Sequence, residues 1–205
     1  MRILVMGSGG VGGYFGGLLA RSGEDVGFVA RGAHLAAMQA RGLAVRSPHG
    51  DFQIPVRAIQ DPGEFGAADL ILFCVKAYDS EPAARQALGA AGAETAILSL
   101  QNGVNAVERL ERLFGAGHVL PGTVYVDAAI AEPGVISQTS SYRRIVFGEP
   151  HGSISPRVER IAEALRRAGA DADPRDEIDS GLWEKYHHIC ALSGMTGMTR
   201  SSIGP

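Results

Sequence analysis

Residues 1–23 read MRILVMGSGGVGGYFGGLLARSG. Ile3 to Met6 is a short apolar run bounded by Gly7-Ser8-Gly9-Gly10, the pattern of a buried parallel strand. A helical stretch follows from Val11 to Arg21, with Gly23 as its stop. Gly7-x-Gly9-x-x-Gly12 therefore lies directly between a strand and a helix. Gly7 permits the tight turn, Gly9 lets the backbone approach a pyrophosphate, and Gly12 lets helix and strand pack closely. Unpaired N–H groups and the dipole at the helix start favour a phosphate anion. Gly13, Gly16 and Gly17 lie further along the helix and predict close packing rather than ligand contact.

Working outward, strand-like and helix-like segments alternate. Asp25 to Ala30 reads as a strand and Ala33 to Arg41 as a helix. Leu43 to Ile59 reads as a hairpin around Pro48-His49-Gly50-Asp51. Asp69 to Val75 (DLILFCV) is a buried strand, Glu81 to Ala91 a helix, Thr95 to Leu100 a strand and Val104 to Phe114 a helix. From His118 to Glu149 the pattern is strand-rich. Ser155 to Ala168 is an amphipathic helix, with Val158, Ile161, Ala162 and Leu165 on one side. Asp171 to Pro174 is a link or short strand. Asp179 or Ser180 then caps a last helix through Trp183, Tyr186, Ile189 and Cys190. This alternation predicts an α/β fold, a doubly wound parallel sheet with right-handed crossovers. Its ligand rim, beyond the carboxyl ends of the strands, holds Gly7, Arg31, Lys76 and Gln101-Asn102. A domain boundary is expected near 175–180, which divides the chain into 1–176 and 177–205.

The bulk properties narrow the classes. Of 205 residues, 45% are apolar and 20% charged, with a net charge of −3. Those values fit a soluble globular protein and argue against nucleic acid as a partner. Cys74 and Cys190 offer no disulfide framework or zinc spacing, and a reducing cytoplasm fits them. No apolar run is long enough to span a membrane, and the N-terminus does not read as a signal peptide. His187 and His188 are adjacent, point to different faces of a helix, and make a poor metal pair; no metal is expected.

The end of the second strand bears on cofactor choice. Val29-Ala30-Arg31-Gly32 has no acid for a ribose 2′-OH, whereas Arg31 can meet a 2′-phosphate with a fork of donors. Arg31 favours NADP over NAD; a solvated loop arginine is the plainer alternative. His34, one turn on, suits the phosphate site or a surface or capping role equally well. Lys76 and Lys185 are the only lysines in the 205 residues. Lysine can be brought toward neutral pH by burial and can give up a proton, as arginine cannot. Incidental lysines in an arginine-rich chain are the alternative. Asn102 offers an acceptor and two donors at the sheet rim, or simply forms a turn before a helix.

These residues together resemble the ketopantoate reductase (2-dehydropantoate 2-reductase) family. The resemblance is carried by MRILVMGSGGVGGYFGGLLARSG, VARGAH, LILFCVKAYD, LSLQNGV and WEKYHH…MTGMTRSSIG, spread from Met1 to Gly204. It implies a Rossmann-type domain that binds NADPH, followed by the start of an all-helical domain for substrate and dimerisation. It implies reduction of a 2-keto acid to a 2-hydroxy acid. Gly7, Ser8, Gly9, Gly10, Val11 and Gly12 would hold the pyrophosphate and Arg31 the 2′-phosphate. Lys76 and Asn102 would line the nicotinamide side, with Ala128 beside the cofactor. Lys185 matches the family's proton donor, and Asn102, Lys185 and Ser193 would face the substrate.

Two departures qualify what is implied. Where the family carries substrate-contacting asparagines, this chain has Ile189 and Ser193. That points to a paralogue with a less polar 2-keto acid, or to a different local alignment around His187-His188. The family also continues with roughly a hundred helical residues, so the chain reads as a truncated form. The apolar side of its last helix would then seek a partner, a homodimer included. An NADP-binding module without turnover, or a related dehydrogenase with another substrate, is the rival reading.

Overall fold

The computed structural model describes residues 1–202; Ile203 and Gly204, the end of the resembling stretch, lie outside them with Pro205. In chain order the elements are β1 (Arg2–Met6), α1 (Gly10–Arg21), β2 (Asp25–Val29), α2 (Gly32–Arg41), β3 (Leu43–Arg46), β4 (Phe52–Ile54), β5 (Arg57–Ile59), β6 (Ala68–Phe73), α3 (Ser80–Ala87), β7 (Ala91–Ser99), α4 (Ala106–Phe114), β8 (Val119–Tyr125), β9 (Ala128–Glu132), β10 (Val135–Gln138), β11 (Arg144–Phe147), α5 (Pro156–Arg167), β12 (Asp171–Pro174) and α6 (Ile178–Thr199).

The main sheet has the order β12-β11-β8-β7-β6-β1-β2-β5. Every pairing is parallel except β8 with β11. Successive residues of the central strands feed opposite cores, which is why Ile3 to Met6 and Leu70 to Phe73 are apolar without a break. Ile3, Val5, Leu70 and Leu72 enter a core shared with α1 and α5. Leu4, Met6, Ile71 and Phe73 enter the core beneath α3 and α4. The chain winds outward from β1 in both directions, so a crevice opens between the carboxyl ends of β1 and β6. The doubly wound sheet read from the sequence is thus the fold observed.

A second sheet, β4-β3-β10-β9, covers the other side of α1. A methyl on Gly16 would sit 2.6 Å from Val5 of the main sheet; one on Gly13 would sit 2.7 Å from Ile136 of the small sheet. Helix α1 is squeezed between two sheets, and its internal glycines are what allow it.

Several boundaries differ from the sequence reading. β3 and β4 form the expected hairpin, but Arg57–Ile59 leaves it and pairs with β2, after Pro55 has removed a donor from the ladder. Helix α3 ends at Ala87, and Ala91 already belongs to β7. Between them Gly89 rides close over Gly63, with room of only 3.3 Å for a methyl. Neither Asp179 nor Ser180 caps α6; Glu177 is its N-cap, and both lie inside the first turn. The helix starts early because Ile178, 1% exposed, buries against Val146 and Leu182. Residues 193–199 continue that helix despite Gly194 and Gly197. The Thr196 and Thr199 hydroxyls donate back to the Leu192 and Met195 carbonyls, both at 2.8 Å. Among the described residues, no helix is long and apolar enough to cross a membrane.

Candidate functional site

The crevice at the carboxyl ends of β1, β2 and β6 encloses about 430 Å3. The loop from Gly7 to Val11 lines it, with Arg31, His34, Lys76 and Ala128. A larger cavity of about 690 Å3 opens at the amino ends of the strands, among Glu94, His118 and Arg160, and none of the candidate cofactor or substrate residues lines it.

The loop divides its tasks by residue. Gly7 has φ +98°, a conformation L side chains avoid, and turns against the Val75 backbone. A methyl on Gly12 would overlap the Gly7 carbonyl and come within 2.8 Å of Val5, so Gly12 seats the helix rather than lining the crevice. One on Gly10 would overlap the Ala128 carbonyl, which brings β9 directly against the loop. Gly9 alone faces open space, with nothing within 4 Å. It is the N-cap of α1, offers no side-chain cap, and the first turn carries no acid. The helical ladder begins with Gly13 N–H donating to the Gly9 carbonyl at 2.7 Å. Before it, Ser8 N–H is taken by the Val29 carbonyl at 3.1 Å, and the first-turn amides of α1 have no intrahelical acceptor, the usual setting for an anion.

Around this cradle the other side chains are held by specific bonds. Arg31 is the extended N-cap of α2, and its exposed guanidinium donates to Gln86 Oε1 at 3.1 Å. Asp79, the last residue of LILFCVKAYD but given no role there, also lines the crevice. His34 lines it with both ring nitrogens engaged by backbone groups. Gly134 N–H donates to His34 Nδ1 at 3.0 Å, which leaves Nε2 to donate to the Ser8 carbonyl at 2.9 Å. Burial holds its pKa below the usual imidazole value, opposed by the bond to Ser8. Lys76 is exposed at the end of β6. Gln101 stiffens that corner by donating to the Val75 carbonyl at 2.9 Å and to Ser80 Oγ at 2.6 Å. Burial pushes the Cys74 thiol up to about 12, so it is inert at neutral pH.

Asn102 and Lys185 stand outside the lining of this crevice, beside one another's supports. Asn102 is exposed in the loop after β7. Val104 of the same loop and Tyr125 both pack against the cluster of Val146, Ile178 and Leu182, which joins that loop to the end of β8 and the start of α6. Lys185, half-buried on α6, places Nζ 4.3 Å from the centre of the Tyr125 ring. Burial lowers its pKa, and the charge of Asp127 opposes the shift. Asp127 adjoins Ala128, so this second group abuts the crevice at Gly10. Ile189 is half-buried on α6 and Ser193 is exposed. Tyr125 and Asp127 escape a reading of the sequence; their only signal there is a strand end followed by an acid. Trp183 is 49% exposed and meets Tyr186 edge-on.

Comparison with known proteins places this geometry. Residues 3–152 match the family of ketopantoate reductase PanE/ApbA. The uncharacterized oxidoreductase YkpB of Bacillus subtilis is 32% identical over 205 residues, covering 100% of this chain and 67% of that protein. A 2-dehydropantoate 2-reductase of Mesorhizobium japonicum is 34% identical, over 96% of this chain and 68% of the relative. The crystal structure of 2-dehydropantoate 2-reductase from Porphyromonas gingivalis superposes with a TM-score of 0.93 at 34% identity, covering 98% of this chain and 73% of that one. The chain thus spans about two thirds of the length of the curated relatives it matches. The glycine loop, the sheet order and these matches agree: the chain belongs to the ketopantoate reductase family, a family of oxidoreductases.

Proposed function

We propose that the protein reduces a 2-keto acid to the 2-hydroxy acid with NADPH. The observation that carries this reading is one crevice that joins an open Gly9 cradle to Arg31. The loop from Gly7 to Gly12 would hold the pyrophosphate through the free amides at the start of α1, and Arg31 the 2′-phosphate. Lys76, Asn102 and Ala128 would flank the nicotinamide. Bound there, the dihydronicotinamide supplies a hydride.

The chain's own part is the proton and the charge. As the keto carbon is reduced, negative charge grows on its oxygen. Lys185 gives a proton to that oxygen, and its ammonium stabilises the charge beforehand. A positioned acid of this kind contributes typically about 10²–10⁴-fold. Burial of Lys185 moves its proton affinity toward the working pH, which suits an acid. Asn102 and Ser193 would hold the substrate. Ile189, in place of a family asparagine, favours a less polar 2-keto acid than 2-dehydropantoate. The free Cys74 and Cys190 suit a reducing cytoplasm.

Steady oxidation of NADPH against a panel of polar and apolar 2-keto acids tests the reading. Turnover is expected, fastest with an apolar member. Arg31→Ala should weaken NADPH about 10–100-fold and NADH much less, the loss of a charge-assisted bond. NADPH binding without turnover of any 2-keto acid would leave a cofactor-binding module instead. Equal loss for both cofactors would remove Arg31 from the 2′-phosphate.

A further inference from the structure

We propose that Tyr125 is the positioning residue for Lys185: its ring face carries the lysine ammonium and fixes where the N–H groups point. This rests on the reading of Lys185 as the proton donor. The inference begins from geometry. Lys185 Nζ lies 4.3 Å from the ring centre, inside cation–π range. On the neighbouring strand Arg144, paired in register with Tyr125, places its guanidinium 5.8 Å from the same ring.

The ring itself is anchored. Tyr125 ends β8 and packs in the cluster of Val146, Ile178 and Leu182, so it moves with the sheet and with the first turn of α6. Arg144 is tied across β11–β12 by Asp173, which accepts from its Nε at 3.1 Å and from Nη2. Arg175 also donates to Asp173, at 3.0 Å. The charges facing the Lys185–Tyr125 pair are therefore Asp127 from the β8–β9 loop, Arg144 from β11, Arg175 after β12, and Glu184 on α6 itself. No carboxylate lies within ion-pair distance of Lys185 among the described residues.

That arrangement has a chemical meaning. A carboxylate in contact would hold the lysine proton and occupy its donors. An aromatic face attracts the cation through its quadrupole without offering a lone pair, and leaves outward N–H groups free for the substrate oxygen. Because the ring favours the charged form, removing it should lower the lysine's proton affinity.

With only two lysines in the sequence, side-chain ¹³Cε labelling of lysine gives two signals, and Lys185→Met assigns them. Tyr125→Phe keeps the ring and should keep the Lys185 titration midpoint. Tyr125→Leu should lower that midpoint by about 0.4–1.5 pH units and abolish the ring-current displacement of its Hε protons. The alkaline limb of the kcat profile should move down with it, and kcat at neutral pH should fall about two- to tenfold. An unmoved midpoint and unmoved Hε shifts in Tyr125→Leu would overturn the positioning role even if Lys185→Met is inactive. Full turnover in Lys185→Met would instead overturn the proton-donor reading beneath it.

Discussion

Gly9 and Gly12 are one helical turn apart and look alike in the sequence, yet their surroundings assign them different work. Gly9 has φ −73° and ψ −161°, which alanine adopts freely, and its added methyl would meet nothing. Gly9→Ala should leave stability within about 0.5 kcal/mol of the parent, because no native contact changes. The methyl would sit in the cradle, so NADPH affinity should fall about tenfold or more. At Gly12 the methyl meets Val5 at 2.8 Å and the Gly7 carbonyl. Overpacking there should destabilise by about 1–3 kcal/mol as well as weaken binding. Thermal melts and fluorescence titration of both variants separate the effects. Unchanged NADPH affinity in Gly9→Ala would remove the cradle from the cofactor site. At this scale the spacing of the glycines is enough to reveal the loop. It cannot reveal that Gly10 faces the Ala128 carbonyl, a contact between residues 118 positions apart in the chain.

Elements made of continuous apolar runs are legible in the sequence for a physical reason. DLILFCV and TAILSL feed two cores at once, so no polar face interrupts them. The small sheet is less legible. Its strands are short and half-exposed, and β3 pairs in parallel with the distant β10, a partnership no local pattern encodes. The last helix is legible as a helix but not in its limits, since Ile178 is drawn in by Val146 and not by a capping side chain. The small sheet nonetheless holds the phosphate loop's helix in place. Ile136 is fully buried and lies over Gly13. Because Gly13 has no side chain to refill the space, Ile136→Ala should leave a cavity and cost about 2–5 kcal/mol. Urea denaturation at constant m-value measures it. A loss below about 1 kcal/mol would mean that the main sheet alone seats α1.

Across the whole molecule the two sheets are tied at the crevice by one imidazole. His34 accepts from Gly134, at the turn between β9 and β10, and donates to Ser8 in the phosphate loop. Only the neutral ring with its proton on Nε2 can make both bonds; an imidazolium would set N–H against the Gly134 N–H. The residues beside His34 in the sequence give no hint of this, because the Gly134 partner lies a hundred positions away. Since burial holds the folded pKa below the ordinary 6.5, the unfolded chain takes up a proton that the folded chain refuses. Stability from His34 is therefore complete above about 6.5 and is lost as pH falls from there toward the folded value. The carboxylates whose pKa values lie below their ordinary 4.5 or 3.8, Glu24, Glu149 and Asp173, act at lower pH and leave this window clear. His34→Gln can accept and donate at the same two places without titrating. Its unfolding free energy should change less between about pH 7.5 and about pH 5.5 than that of the parent. Identical slopes would show that the ring does not sense pH in the fold. A flattened slope would show that this one residue carries the pH sensitivity of the link between the small sheet and the phosphate loop.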